Sequence, residues 1–172
     1  MKAVSAVLPP HPGLTAEALA AIYDHALREH PNECCGIVYG PKAQPIAARA
    51  VACVNTQNDL HAEDPVTHKR DARTAYALGG TDLFKVGKSL RTDEPVKIIY
   101  HSHVDVERAD GAYFSDTDQA AATMEGEPTY PVEYVVVDLR RDGVRGAAQF
   151  AWDEGARRYV EIGRYPAPAS PR

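Results

Sequence analysis

The feature that most constrains this chain is an apolar strand that ends in two histidines. Residues 96–103 read Val-Lys-Ile-Ile-Tyr-His-Ser-His, and a short apolar run of this kind is typical of a buried strand. Side chains of a strand alternate between its two faces, so His101 and His103 point to one side and Ser102 to the other. Two imidazoles on one face of a strand end form half of a metal site.

A predicted helix start supplies the candidate third ligand. Residues 115–124 favour a helix that Ser115 caps, with Asp118 in the first turn. This pairing is common as a plain cap, and a cap also holds both side chains in fixed directions. Asp116 is the rival ligand, but it points to a different side of the turn. Two histidines, one carboxylate and an open position match the plan of a catalytic zinc site.

Glu33 is the candidate general base. It follows Pro31 and Asn32 and begins the apolar segment 33–40, which predicts a strand. Taken alone, it is an exposed carboxylate at a strand entry. Beside a metal it can accept a proton from water, because zinc lowers the pKa of bound water to about 7.

In combination, these residues resemble the signature of the JAMM (MPN-plus) metalloproteases: an upstream Glu, then His-Ser/Thr-His, then Ser-x-x-Asp. The segment 31–36 is also similar to the Pro-x-Glu-x-Cys-Gly segment of the compact prokaryotic branch. The order of elements agrees with the family from residue 13 to residue 163. The matching positions are Glu33, His101, Ser102, His103, Ser115 and Asp118.

The resemblance implies an α/β fold, a cytidine-deaminase-like three-layer sandwich with a mostly antiparallel mixed sheet flanked by helices. It implies one zinc ion (Zn2+) per chain, held by His101, His103 and Asp118. The position of Glu33 activates the zinc-bound water and later protonates the leaving amine, and the position of Ser115 stabilises the oxyanion. The implied substrate is a peptide or isopeptide bond after the C-terminal Gly-Gly of a ubiquitin-like or sulfur-carrier protein.

The chain departs from the family pattern between the second histidine and the cap. Eleven residues separate His103 from Ser115, where the family usually has seven, so residues 107–110 are an insertion. Val104 stands where many members carry Pro. An insertion costs little closure entropy and removes no ligand. The loop 55–70 and the insertion 107–110 are the candidate segments for contact with a substrate tail.

Three other functions compete with this prediction. A phage-tail or cell-wall-associated peptidase of the same family resembles this domain as well. A catalytically silent MPN scaffold has usually lost its ligands, whereas all of them are present here. A nucleotide deaminase shares the fold but needs a His-x-Glu motif with a paired Cys-x-x-Cys, and neither occurs.

Composition sets the wider limits. A chain of 172 residues suits one domain, predicted over 1–165 with a loose Pro-rich tail at 166–172. A net charge of −5 does not favour nucleic acid. The sequence has neither a membrane-length apolar run nor a typical secretory signal, so we expect a cytoplasmic protein, with a homodimer as an open alternative. The three cysteines are predicted to be buried thiols.

The remaining segments predict ordinary secondary structure. Strands are expected at 3–8, 46–54, 66–70, 132–138, 145–152 and 157–162, with a hairpin turn at 141–143. Thr15 is expected to cap a helix over 16–30, Thr81 a second helix, and residues 55–65 a surface loop. The helix that starts at Ser115 is expected to end near residue 125. His11, His25, His30, His61 and His68 are expected at the surface or in loops, with only His61 and His68 as candidate substrate contacts.

Overall fold

The structure is a computed structural model that describes residues 10–169. The strand predicted at 3–8 and the last three residues of the tail lie outside the described residues. The described part contains four helices and ten strands. In chain order they are β1 (Gly13–Leu14), α1 (Ala16–Glu29), β2 (Cys35–Tyr39), β3 (Ile46–Ala47), β4 (Arg49–Cys53), α2 (Gln57–Glu63), α3 (Gly80–Ser89), β5 (Val96–Val104), α4 (Asp116–Ala122), β6 (Thr123–Met124), β7 (Glu127–Pro128), β8 (Glu133–Arg140), β9 (Gly143–Asp153) and β10 (Arg158–Pro166).

Six of the strands form one mixed sheet in the order β10-β9-β8-β5-β2-β4. Neighbouring strands are antiparallel except β5 and β8, which are parallel. Helix α1 packs with Ile98 and Tyr100 on one face of the sheet, and α3 and α4 pack with Ile99 on the other. These three layers confirm the predicted α/β sandwich with its mostly antiparallel sheet.

The alternation of side chains along β5 decides which layer receives the histidines. Ile98 and Tyr100 face α1, so the odd-numbered residues of the strand face the layer of α3 and α4. A parallel pair such as β5 and β8 needs a crossover connection, and here the crossover contains α4. The two histidines and the first turn of α4 therefore lie on the same face of the sheet.

Several local predictions are confirmed. Thr15 caps α1, and its hydroxyl accepts a hydrogen bond of 3.2 Å from the Ala18 N–H. The segments 33–40 and 46–54 contain the strands β2 and β4, and β8 turns into β9 between Arg140 and Gly143. The three cysteines are free thiols and buried. No helix within residues 10–169 is long and apolar enough to cross a membrane.

Other local predictions are wrong. The polar segment 55–65 contains α2, because the Asn55 carboxamide accepts from the Gln57 N–H and the buried Gln57 side chain donates to the Arg70 carbonyl. No strand forms at 66–70. The N-cap of α3 is Gly79, two residues before the expected cap Thr81. Helix α2 and the segment that follows it are held by these side-chain hydrogen bonds rather than by an apolar period.

The ends of two elements also differ from prediction. Helix α4 ends at Ala122 rather than near residue 125, because residues 123–128 form the small hairpin of β6 and β7. Strand β10 extends from Arg158 to Pro166, one residue into the predicted tail. The end of β10 is held against the fold because Tyr165 is buried in the core beside α1.

Candidate metal centre and active site

Three buried side chains converge at the end of β5 and the start of α4. The Nε2 atoms of His101 and His103 are 3.3 Å apart. Each lies 3.2 Å from an oxygen of the Asp118 carboxylate. One ligand atom from each of the three residues falls within 4.8 Å of the others. Asp116, the rival ligand, is exposed and does not join this group.

The spacing of these atoms fits a small metal ion. Ligand atoms about 2.0–2.1 Å from a tetrahedral zinc ion lie about 3.3 Å from one another. The separations of 3.2–3.3 Å among His101, His103 and Asp118 match that value. The charge also fits: burial opposes ionisation of Asp118, yet the two imidazoles lower its pKa below the usual range. A carboxylate and two imidazoles are thus placed where a cation can bind without rearrangement.

The hydrogen bonds around His103 select the tautomer that a metal needs. Its Nδ1 donates to the Gly111 carbonyl at 2.9 Å, so the Nε2 lone pair faces His101 and Asp118. The Gly111 N–H in turn donates to Asp138 at 3.0 Å. Partners of this kind orient metal-binding histidines and raise their basicity. His103 is therefore held from behind by a chain of two hydrogen bonds that reaches β8.

His101 is held by packing. Its ring is fully buried and stacks on Tyr76, with ring centroids 4.3 Å apart and an angle of 19° between the planes. Burial, which outweighs the attraction of the Asp118 carboxylate, lowers the pKa of His101 and favours the neutral ring. Within residues 10–169 its Nδ1 has no hydrogen-bond partner. The neutral form is the one that binds metals.

The first turn of α4 orients both Ser115 and Asp118. The Ser115 hydroxyl oxygen accepts from the Asp118 N–H at 3.0 Å, and the Asp118 carboxylate accepts from the Ser115 N–H at 2.9 Å. This reciprocal pair is a capping box. A serine hydroxyl that accepts one hydrogen bond keeps its own proton to donate. In the described part of the chain that proton has no acceptor, so it is available to a ligand.

Glu33 lies two residues before the start of β2, the strand that pairs with β5. Its N–H donates to the Ala72 carbonyl at 2.7 Å, and its carbonyl accepts from the Asn55 side chain at 2.9 Å. Only 5% of the residue is exposed, and its carboxylate has no hydrogen-bond partner in residues 10–169. Burial, and then the negative charge of Asp118, raise the pKa of Glu33 well above its usual value. Such a carboxyl group is suited to take up and release a proton.

Glu33, His103, Ser115 and Asp118 line one pocket of about 190 Å³, whereas the fully buried His101 does not reach its wall. Besides the predicted residues Glu33, His103, Ser115 and Asp118, the pocket wall includes side chains that the sequence does not single out. These are Arg70, Arg73, Thr74, Ala75, Tyr76, Val104, Val106, Tyr113, Thr117 and Ala121. Arg70 ends the loop 55–70 and so falls in a segment expected near substrate. No motif signals Arg73 or Tyr76.

Among the histidines outside the site, the prediction for His25 is wrong. His61 and His68 do not line the pocket; the His61 ring, in α2, donates to the His68 carbonyl at 2.6 Å. His25, expected at the surface, is buried and its Nδ1 lies 2.8 Å from the Tyr100 hydroxyl. It is buried because α1 places it against β5 on the face opposite to the site.

The insertion 107–110 lies beside the pocket and is tied to the sheet. Arg140 of β8 donates to the carbonyls of Val106 and Arg108 at 2.6 and 2.7 Å. Arg164 of β10 pairs with Asp110 at 2.5 Å. Val106, just before the insertion, lines the pocket, but residues 107–110 do not. The insertion therefore forms a fixed rim, not a wall, of the site.

Comparison with known proteins decides the family. The family model for prokaryotic homologs of the JAB domain matches residues 15–152. This chain belongs to the prokaryotic JAB-domain family. CysO-cysteine peptidases of Mycobacterium bovis and Mycobacterium tuberculosis are similar to this family member, with 32% identity over 128 residues, 74% of this chain and 73% of theirs. The predicted resemblance to the compact prokaryotic branch is thereby confirmed.

Solved structures show the same fold in this family member. A protein from Desulfitobacterium hafniense has a TM-score of 0.58 at 18% identity, over 86% of this chain and 87% of that one. A protein from Salinibacter ruber has a TM-score of 0.55 at 20% identity, over 92% and 94% of the two chains. At these identities the likeness is one of fold.

Proposed function

We propose that this chain is a zinc-dependent peptidase that hydrolyses the bond after the C-terminal Gly-Gly of a ubiquitin-like or sulfur-carrier protein. One observation carries the proposal: the ligand atoms of His101, His103 and Asp118 converge at 3.2–3.3 Å, and His103 and Asp118 line one pocket with the buried Glu33. The relatives named CysO-cysteine peptidase support the same reaction class.

The roles follow from the positions of the side chains. His101, His103 and Asp118 would hold the zinc ion. Zinc in such a site supplies Lewis-acid polarisation of a carbonyl and activates water at neutral pH. Glu33 accepts the proton of the attacking water and later delivers it to the leaving nitrogen. The Ser115 hydroxyl donates its free proton to the oxygen on which negative charge develops.

The size of the pocket supports a Gly-Gly substrate. Its volume of about 190 Å³ is smaller than the roughly 300–1,000 Å³ of pockets for drug-sized ligands. Glycine has no side chain, so an extended Gly-Gly tail brings only backbone to such a narrow site. The folded part of the substrate then stays outside, against the rim formed by residues 107–110 and the loop 55–70.

The test begins with metal content and cleavage. We expect the purified protein to carry about one zinc ion per chain and to cut a ubiquitin-fold protein extended by Gly-Gly-Cys, with the loss of the last residue seen by mass spectrometry. Glu33→Gln should keep the zinc and lose about 10²–10⁴-fold in rate. Glu17→Gln, an exposed residue in the first turn of α1 on the opposite face of the sheet, is the matched control and should cleave normally.

Three results would overturn the proposal. Undiminished cleavage by Glu33→Gln would remove the assigned base. A protein that binds no metal and tolerates His103→Ala would be a scaffold. Cleavage of peptidoglycan stem peptides, with Gly-Gly fusions left intact, would instead support the cell-wall or phage-associated peptidase.

A further inference from the structure

Two arginines lie at the pocket that contains Glu33. Arg70 and Arg73 both line this pocket. Both side chains are exposed, and neither forms an ion pair with an acidic residue anywhere in residues 10–169. The only hydrogen bond from either side chain within residues 10–169 is a long one of 3.5 Å from Arg70 to the Thr74 carbonyl. Two unpaired cations at one pocket contrast with the net charge of −5.

The backbone that carries these arginines is joined to Glu33 itself. Ala72, between them, is buried, and its carbonyl accepts the hydrogen bond from the Glu33 N–H at 2.7 Å. The Ala72 N–H donates to Asn58 at 2.8 Å, and the Arg70 carbonyl accepts from Gln57 at 2.7 Å. The segment is therefore held in place before a substrate binds. The arginines therefore line the pocket from fixed backbone positions next to the assigned base.

A leaving group that is a single amino acid would bring its own α-carboxylate close to Glu33. Glu33 delivers a proton to the leaving nitrogen, so that nitrogen lies next to its carboxylate. In an amino acid, the α-carboxylate oxygens lie about 3 Å from the amino nitrogen. If a single residue is released, its carboxylate must lie within one residue's span of Glu33. Arg70 and Arg73 line the same pocket of about 190 Å³ as Glu33, so their guanidinium groups are within reach of such a carboxylate.

We propose that Arg70 and Arg73 bind the free α-carboxylate of the amino acid that is released after Gly-Gly. The proposal rests on the proposed peptidase function and narrows it: the enzyme trims one terminal residue and does not cut within a longer chain. Guanidinium groups suit this role because their paired N–H donors match the geometry of a carboxylate. In the reaction, water adds its hydroxyl to the glycine carbonyl carbon, the C–N bond breaks, and the proton held by Glu33 goes to the amine.

The test compares two substrates that differ only in one terminal charge. A ubiquitin-fold protein ending in Gly-Gly-Ala is prepared with a free carboxylate and with a C-terminal amide. We expect the wild-type zinc-loaded enzyme to prefer the acid in kcat/KM by about tenfold or more, the size expected for hydrogen bonds to a charged group. In the double variant Arg70→Gln, Arg73→Gln the ratio should fall to about 1, with most of the change in KM.

Lys69→Gln is the matched control, because it removes one positive charge from the same loop without touching the pocket; its preference should be that of the wild type. A second readout avoids turnover: Glu33→Gln protein should bind the uncut acid about tenfold more tightly than the amide. Equal cleavage of acid and amide by the wild type would overturn the carboxylate site while leaving the peptidase intact. Cleavage of neither substrate would overturn both.

Discussion

Replacing Gly111 with alanine should loosen the metal centre from a distance. Gly111 joins His103 to Asp138: its carbonyl accepts from the His103 ring at 2.9 Å and its N–H donates to Asp138 at 3.0 Å. A Cβ atom at this position would lie 2.3 Å from an oxygen of Asp138 and 3.1 Å from the Arg140 guanidinium. The first distance is more than about 1 Å shorter than an ordinary contact.

The overlap cannot be relieved at Asp138. Arg140 holds that carboxylate at 2.6 Å and is itself tied to the carbonyls of Val106 and Arg108. Gly111 must therefore move, and its carbonyl moves away from the His103 ring. Overpacking of this kind costs about 1–3 kcal/mol of stability, and loss of a partner behind a metal-binding histidine costs about 10–100-fold in metal affinity.

The measurement is zinc affinity by competition with a chelator, together with thermal unfolding. At this chain length each kcal/mol lowers Tm by roughly 2–4 °C. Gly87→Ala is the matched control: it lies in α3 with nothing within 4 Å of a Cβ, so zinc affinity should not change and stability should rise by up to about 1 kcal/mol. Wild-type zinc affinity in Gly111→Ala would refute the role given to the His103–Gly111–Asp138 chain.

Two further predictions concern Ser115 and His25. Ser115→Ala should lose about 1 kcal/mol of stability with its cap and about 10²–10³-fold in kcat, whereas Thr15→Ala, which removes the cap of α1, should lose stability alone; equal kcat in the two variants would exclude an oxyanion role. Burial lowers the pKa of His25, so the unfolded chain takes up a proton there that the folded protein resists, and stability should fall as the pH drops below about 6.5. Urea unfolding between pH 7.5 and 5 checks this, since His25→Gln should weaken the pH dependence and an unchanged slope would contradict it.

Much of the candidate site follows from short-range rules. The two-residue period of a strand puts His101 and His103 on one face, and a four-residue capping box sets Ser115 against Asp118. The same rules fail for α2, whose polar residues have no apolar period and which is held by Asn55 and by contacts to a distant loop. They fail for His25 as well, because burial depends on what the opposite side of α1 packs against.

The sequence by itself determined the order along the chain of the six strands in the main sheet, the faces of β5 and the candidate metal ligands, because each depends on neighbours a few positions apart. Only the tertiary structure decided how these pieces meet. The separations of 3.2–3.3 Å at the centre, the link from Glu33 to Ala72 and the support of His103 through Gly111 join different parts of the chain. Such contacts depend on how the layers pack, and packing is not encoded in any local period.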